Sequence, residues 1–145
     1  MRLVLIDLVP ALLSWEGRDA FGEADVAPDA DPTLQTLYDH YRLEAVADST
    51  IPGPVLRDLL ATFGLADWFE RVGSTAVFGP TLTPRVVRKL AAAAGVTPDR
   101  VATVTARDTV ADRLRREGLA VVLTGGPEEF ADVPEAMWRL EGRRP

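Results

Sequence analysis

Residues 83–123, TPRVVRKLAAAAGVTPDRVATVTARDTVADRLRREGLAVVL, hold the alternation that decides the fold. Thr83-Pro84 opens a helix, because proline's fixed φ suits a first turn and its missing N–H costs nothing there. Val86, Val87, Leu90 and Ala94 then recur on one side until Gly95 ends the helix. Val101–Thr105 is a run of β-formers. Asp108–Glu117 is a second helix stopped by Gly118, and Leu119–Leu123 is a second strand closing on Gly125-Gly126-Pro127. Strands separated by helices of about 10 residues need crossover connections, so they lie parallel in a sheet covered on both faces.

Working outward, the same alternation fills the chain. Arg2–Asp7 is a short apolar strand closed by an acid. Ser14–Asp31 is rich in Gly, Ala, Asp and Pro and reads as an irregular excursion. Asp31-Pro32 then supplies an N-cap and a first helical residue for a helix carrying Leu34, Leu37 and Tyr41. Leu43–Ala47 is a strand ending in Asp48-Ser49-Thr50. Ile51–Pro54 turns into a helix with Leu56, Leu59, Leu60 and Phe63 on one face and Gly64 at its end. Trp68 and Phe69 form a short helical turn, a further strand is expected near Thr75–Phe78, and Pro134–Leu140 is a last amphipathic helix.

The expected architecture is therefore α/β: a three-layer, Rossmann-like fold with a mainly parallel five-stranded sheet and helices on both faces. No repeat or linker divides the 145 residues, so 1–145 reads as one domain. Ligands of such sheets bind beyond the carboxyl ends of the strands. That rule marks Asp7–Val9, Ala47–Thr50, Phe78–Thr83, Thr105–Asp108 and Thr124–Gly126.

Composition narrows the chemistry. With no cysteine there are no disulfides, thiolate nucleophiles or cysteine metal sites. His40 is the only histidine, so a metal site would be built from carboxylates and would favour a hard cation such as Mg2+. The net charge is −6 and the densest basic group is Arg113, Arg115 and Arg116, which reads as a solvated helix face; nucleic acid is not an expected partner. No apolar run reaches spanning length, and MRLVLID is too short and too soon acidic for a signal peptide, so no membrane association and a cytoplasmic location are expected. Gly125-Gly126 is a plain turn, since no GxGxxG follows the first strand. His40 is expected at the surface, Trp15, Trp68 and Trp138 are expected in packing, and a homodimer would form through Trp15 or Trp68.

Several stretches together resemble the haloacid dehalogenase-like (HAD) phosphohydrolase superfamily. These are LVLIDLV at Leu3–Val9, GLADWFERV at Gly64–Val72, TPRVVRKLAAAAGVTPDRVATV from Thr83, and DTVADRLRREGLAVVL from Asp108. The resemblance covers nearly the whole chain and is strongest from Tyr41 to Leu123. It implies an aspartate nucleophile that attacks a phosphoryl group, and an aspartate two residues later as general acid and backbone ligand to Mg2+. It also implies a Ser/Thr and a Lys that hold the phosphate, and acids after the fourth strand that complete the metal site. A carboxylate approaches a phosphate dianion only where cations screen the repulsion.

Against that pattern, Asp7 stands at the nucleophile position and Val9 at the general-acid position, where it has no proton to give. Thr81 falls at the lysine position, with Arg85 one turn on as a possible source of charge. The second-motif hydroxyl is Ser49 counting back from Gly64, whereas counting forward from Tyr41 gives Ala47. Thr105-Ala106 replaces the Gly-Asp pair, leaving Asp108 as the nearest candidate metal acid beside Asp7. Each has a plainer role: Asp7 as a turn cap, Ser49 and Thr50 in capping or turn formation, Asp108 as a helix N-cap. About 35 residues separate the first motif from the second strand, one core helix included, which leaves no room for a large helical cap.

Two functions remain on the sequence alone. The preferred one is a HAD-like domain that has lost phosphoryl transfer and binds a protein partner or a small anionic ligand, with no cofactor. The other is a phosphoric-ester hydrolase using Asp7 as nucleophile with Mg2+.

Overall fold

A computed structural model describes residues 1–14, 25–47, 51–74 and 82–142. The core is a five-stranded sheet in the order β5-β4-β1-β6-β7, every neighbouring pair parallel. Its strands are β1 (Leu3–Asp7), β4 (Arg42–Ala47), β5 (Arg71–Ser74), β6 (Val101–Thr105) and β7 (Ala120–Leu123). The crossovers are α2 (Ala30–Tyr38), α3 (Gly53–Thr62), α4 (Pro84–Ala93) and α5 (Asp108–Arg116), and α6 (Val133–Leu140) closes the described chain. A short kinked segment α1 (Leu8–Ala11) follows β1, and β2 (Leu13–Ser14) pairs antiparallel with β3 (Asp25–Val26). This is the three-layer α/β architecture expected from the sequence. No helix among the described residues is long and apolar enough to cross a membrane.

The period of two in the strands sorts the core into two layers. Val4 and Ile6 of β1 face one side and join Leu34 and Leu37 of α2, Leu56, Leu59 and Leu60 of α3, and Met137 of α6. Leu3 and Leu5 face the other side and join Val86, Val87 and Leu90 of α4 with Val110, Ala111 and Leu114 of α5. All five residues of β1 are buried, as the middle strand of a doubly covered sheet requires. Asp7 continues the Leu3–Leu5 series and so belongs to the α4–α5 side.

Three details differ from the sequence expectations. The strand expected near Thr75–Phe78 lies outside the described residues, and the strand observed before it is β5 at Arg71–Ser74. It pairs Glu44 with Arg71 and Ala47 with Ser74, so burial against β4 and an ion pair select a stretch that propensity alone did not favour. Helix α2 starts at Ala30, with Asp29 as its N-cap in the left-handed region (φ 56°) and no side-chain cap bond. Asp31 sits in the first turn and accepts a hydrogen bond from Trp68 Nε1 at 2.8 Å, a tertiary partner that replaces the capping role. The two ends of the irregular excursion are tied by the β2–β3 ladder; residues 15–24, Trp15 among them, lie outside those described. His40 is exposed, edge-on to Trp138 at 6.2 Å.

Candidate functional site

The chain runs from β1 out to β4 and β5 on one side, then returns to build β6 and β7 on the other. The strand order reverses at β1, and a crevice at the carboxyl ends of such neighbours is where open α/β sheets bind ligands. Asp7 is the last residue of β1 and Thr105 the last of β6, the strand beside it. Two chain segments about a hundred residues apart therefore present their final side chains to one point.

Asp7 is only 1% exposed. A buried carboxylate is costly unless charge and hydrogen bonds compensate it. Here Thr105 Oγ1 donates to Asp7 Oδ2 at 2.8 Å, and Arg107 Nε donates to the same oxygen at 2.9 Å as an ion pair. The Thr105 hydroxyl also accepts the backbone N–H of Arg107 at 3.1 Å. That last bond fixes the turn leaving β6, and with it the direction in which the arginine departs. Arg107 is extended (φ −103°, ψ 114°) in the N-cap position of α5. Its side chain is 28% exposed.

The other sequence candidates divide. Ser49 and Thr81 lie outside the described residues. Arg85 is exposed in the first turn of α4, and the guanidinium that reaches Asp7 is that of Arg107. Asp108 is exposed and is the first residue of α5 rather than its cap, because Arg107 takes the N-cap position. Val9 is partly buried and apolar, with no proton to offer. Arg107 supplies beside Asp7 the positive charge that the sequence reading sought in Arg85. Arg107 lay inside the strand-end window Thr105–Asp108, but nothing in one sequence separated it from 14 other arginines. Thr105 entered the sequence reading only at the glycine position of the Gly-Asp pair, with Ala106 at the acid position.

The donor set does not fit Mg2+. That ion asks for near-octahedral oxygen ligands, commonly one or two carboxylates with several waters. Among the described residues no three His, Cys, Asp or Glu side chains gather into a metal-holding group. Asp7, the buried carboxylate at the strand ends among the described residues, already carries a guanidinium on Oδ2. A guanidinium fixed on that oxygen would repel a divalent ion and compete with it for the same lone pairs. What this arrangement does chemically is neutralise and immobilise a carboxylate at the mouth of the sheet.

No protein-family model matches the chain, and no curated protein matches it significantly. Solved structures do. A HAD-superfamily hydrolase of subfamily IA, variant 1, from Geobacter sulfurreducens superposes with a TM-score of 0.74 at 12% identity, covering 93% of this chain and 98% of that one. A haloacid dehalogenase-like family hydrolase from Streptococcus pneumoniae gives 0.71 at 13% identity, covering 94% and 90%. A 2-haloacid dehalogenase from Pseudomonas syringae gives 0.64 at 16% identity, covering 81% of this chain but 55% of that one. With β1 central, an acid at its carboxyl end and this strand order, the chain has the fold of the haloacid dehalogenase-like hydrolases.

Proposed function

We propose that the chain is a HAD-like domain that has given up metal-dependent phosphoryl transfer and works as a binding or regulatory module for a small anionic ligand or a partner protein. The observation that carries this reading is the apolar Val9 two residues past Asp7, at a position where the resemblance asks for a proton donor. Val9 supplies no general acid, and the absence of such a group costs a factor of about 100 or more. Arg107, whose side chain is 28% exposed, is the residue expected to meet an anion.

A second reading is favoured by one specific observation. Arg107 puts beside Asp7 the positive charge that the sequence did not reveal, which suits a hydrolase using Asp7 as nucleophile. A screen of generic phosphate esters, with and without Mg2+, separates the two. The parent and Asp7→Asn are expected to show the same negligible turnover. Turnover in the parent that Asp7→Asn abolishes would sink the binding-module reading in favour of the hydrolase.

A further inference from the structure

The mismatch between Asp7's surroundings and a magnesium site has a specific cause in this chain. We propose that Arg107 is a built-in cation standing in for the divalent ion, so that the Asp7 site is metal-independent and excludes divalent cations. This rests on the reading of the site as one without metal-dependent phosphoryl transfer, and it adds the residue responsible.

Three features support it. Charge is balanced locally, because Asp7 is 1% exposed and its Oδ2 is 2.9 Å from Arg107 Nε. The cation is also positioned rather than incidental. The buried Thr105 hydroxyl accepts the Arg107 backbone N–H and donates to the same Asp7 oxygen, so one threonine ties the turn and the carboxylate together. Finally, the next residue, Asp108, is turned out to solvent at the start of α5, while the arginine is the one turned toward β1. The Arg107 guanidinium offsets the charge on Asp7 that would draw a metal ion, and it cannot deprotonate to make way for one.

The probe is Mn2+ alone, followed by electron paramagnetic resonance of the free ion. The proteins are the parent, Arg107→Gln, Arg107→Lys and the double variant Arg107→Gln/Asp7→Asn, each checked for native circular dichroism. The parent and Arg107→Lys are expected to show no saturable Mn2+ binding at Asp7. Arg107→Gln is expected to gain binding by about tenfold or more, and the double variant to lose it. Saturable binding by the parent that is lost in a further variant, Asp7→Asn, overturns the proposal, and so does a folded Arg107→Gln that gains nothing. Should Arg107→Gln not fold, Arg107→Lys decides: exclusion of Mn2+ as in the parent supports a role for the charge, whereas binding through Asp7 overturns it. The outcome is separable from that of the ester screen. Metal-free turnover would remove the binding-module reading and leave this one standing, whereas Mn2+ binding at Asp7 without turnover would do the reverse.

Discussion

Glu44 lies within β4 with only 2% of its surface exposed, on the α4–α5 side of the sheet. Arg71 of β5 reaches it through Nε at 3.1 Å and Nη2 at 3.0 Å. Burial pushes the Glu44 carboxyl above its ordinary value, and the Arg71 guanidinium, itself 42% exposed and well hydrated, only partly opposes that rise. A carboxyl with a raised folded value holds its proton longer in the folded state than in the unfolded chain. Its contribution is therefore fully present below the ordinary value of 4.5 and is lost as pH rises through the raised one. In urea denaturation at a series of pH values, Glu44→Gln is expected to flatten that decline above pH 4.5. A parent whose stability, relative to the Gln variant, climbs over the same interval would contradict the assignment. Asp7 has met the same cost of burial differently, by bringing both a hydroxyl and a guanidinium to one oxygen.

Among the elements, α3 approaches β5 closely. Gly53 starts α3, and a Cβ there would come within 2.5 Å of the Val72 carbonyl oxygen of β5. That neighbour is backbone inside a sheet and has little room to move. Arg57 of α3 reinforces the same contact by donating to the carbonyls of Ala66, Phe69 and Glu70, which ties the helix to the turn before β5. Gly53→Ala is expected to destabilise by about 1–3 kcal/mol through overpacking, although alanine favours helix more than glycine does. A raised thermal midpoint for this variant would show that helix propensity, not the close approach, governs the site. Thr83 of α4 behaves as its sequence implied, since its hydroxyl accepts the Val86 N–H at 3.3 Å.

At the level of the whole molecule, β1 contributes to both hydrophobic layers, with Val4 and Ile6 on one side and Leu3 and Leu5 on the other. Neither layer keeps its backing once that strand leaves. Tryptophan fluorescence and far-ultraviolet circular dichroism are therefore expected to trace one coincident transition in denaturant; two separated midpoints would mean that the layers unfold independently. The alternation of helices and strands was legible from apolar spacing and turn residues, because a period of 3.6 or 2 is a local property of the chain. The position of Asp7 at a strand end was legible for the same reason. The strand at Arg71–Ser74 was not legible, because β5 is selected by its pairing with β4 and not by its own propensity, and the strand expected near Thr75–Phe78 lies outside the described residues. The strand order was not legible, and neither was the meeting of Asp7 with Thr105 and Arg107. The sequence by itself determined an α/β alternation, an acid closing the first strand and an apolar residue where a proton donor would stand. Only the tertiary structure decided that this acid is paired, because the guanidinium arrives from a turn 100 residues away, through the adjacency of β1 and β6 that no local pattern encodes.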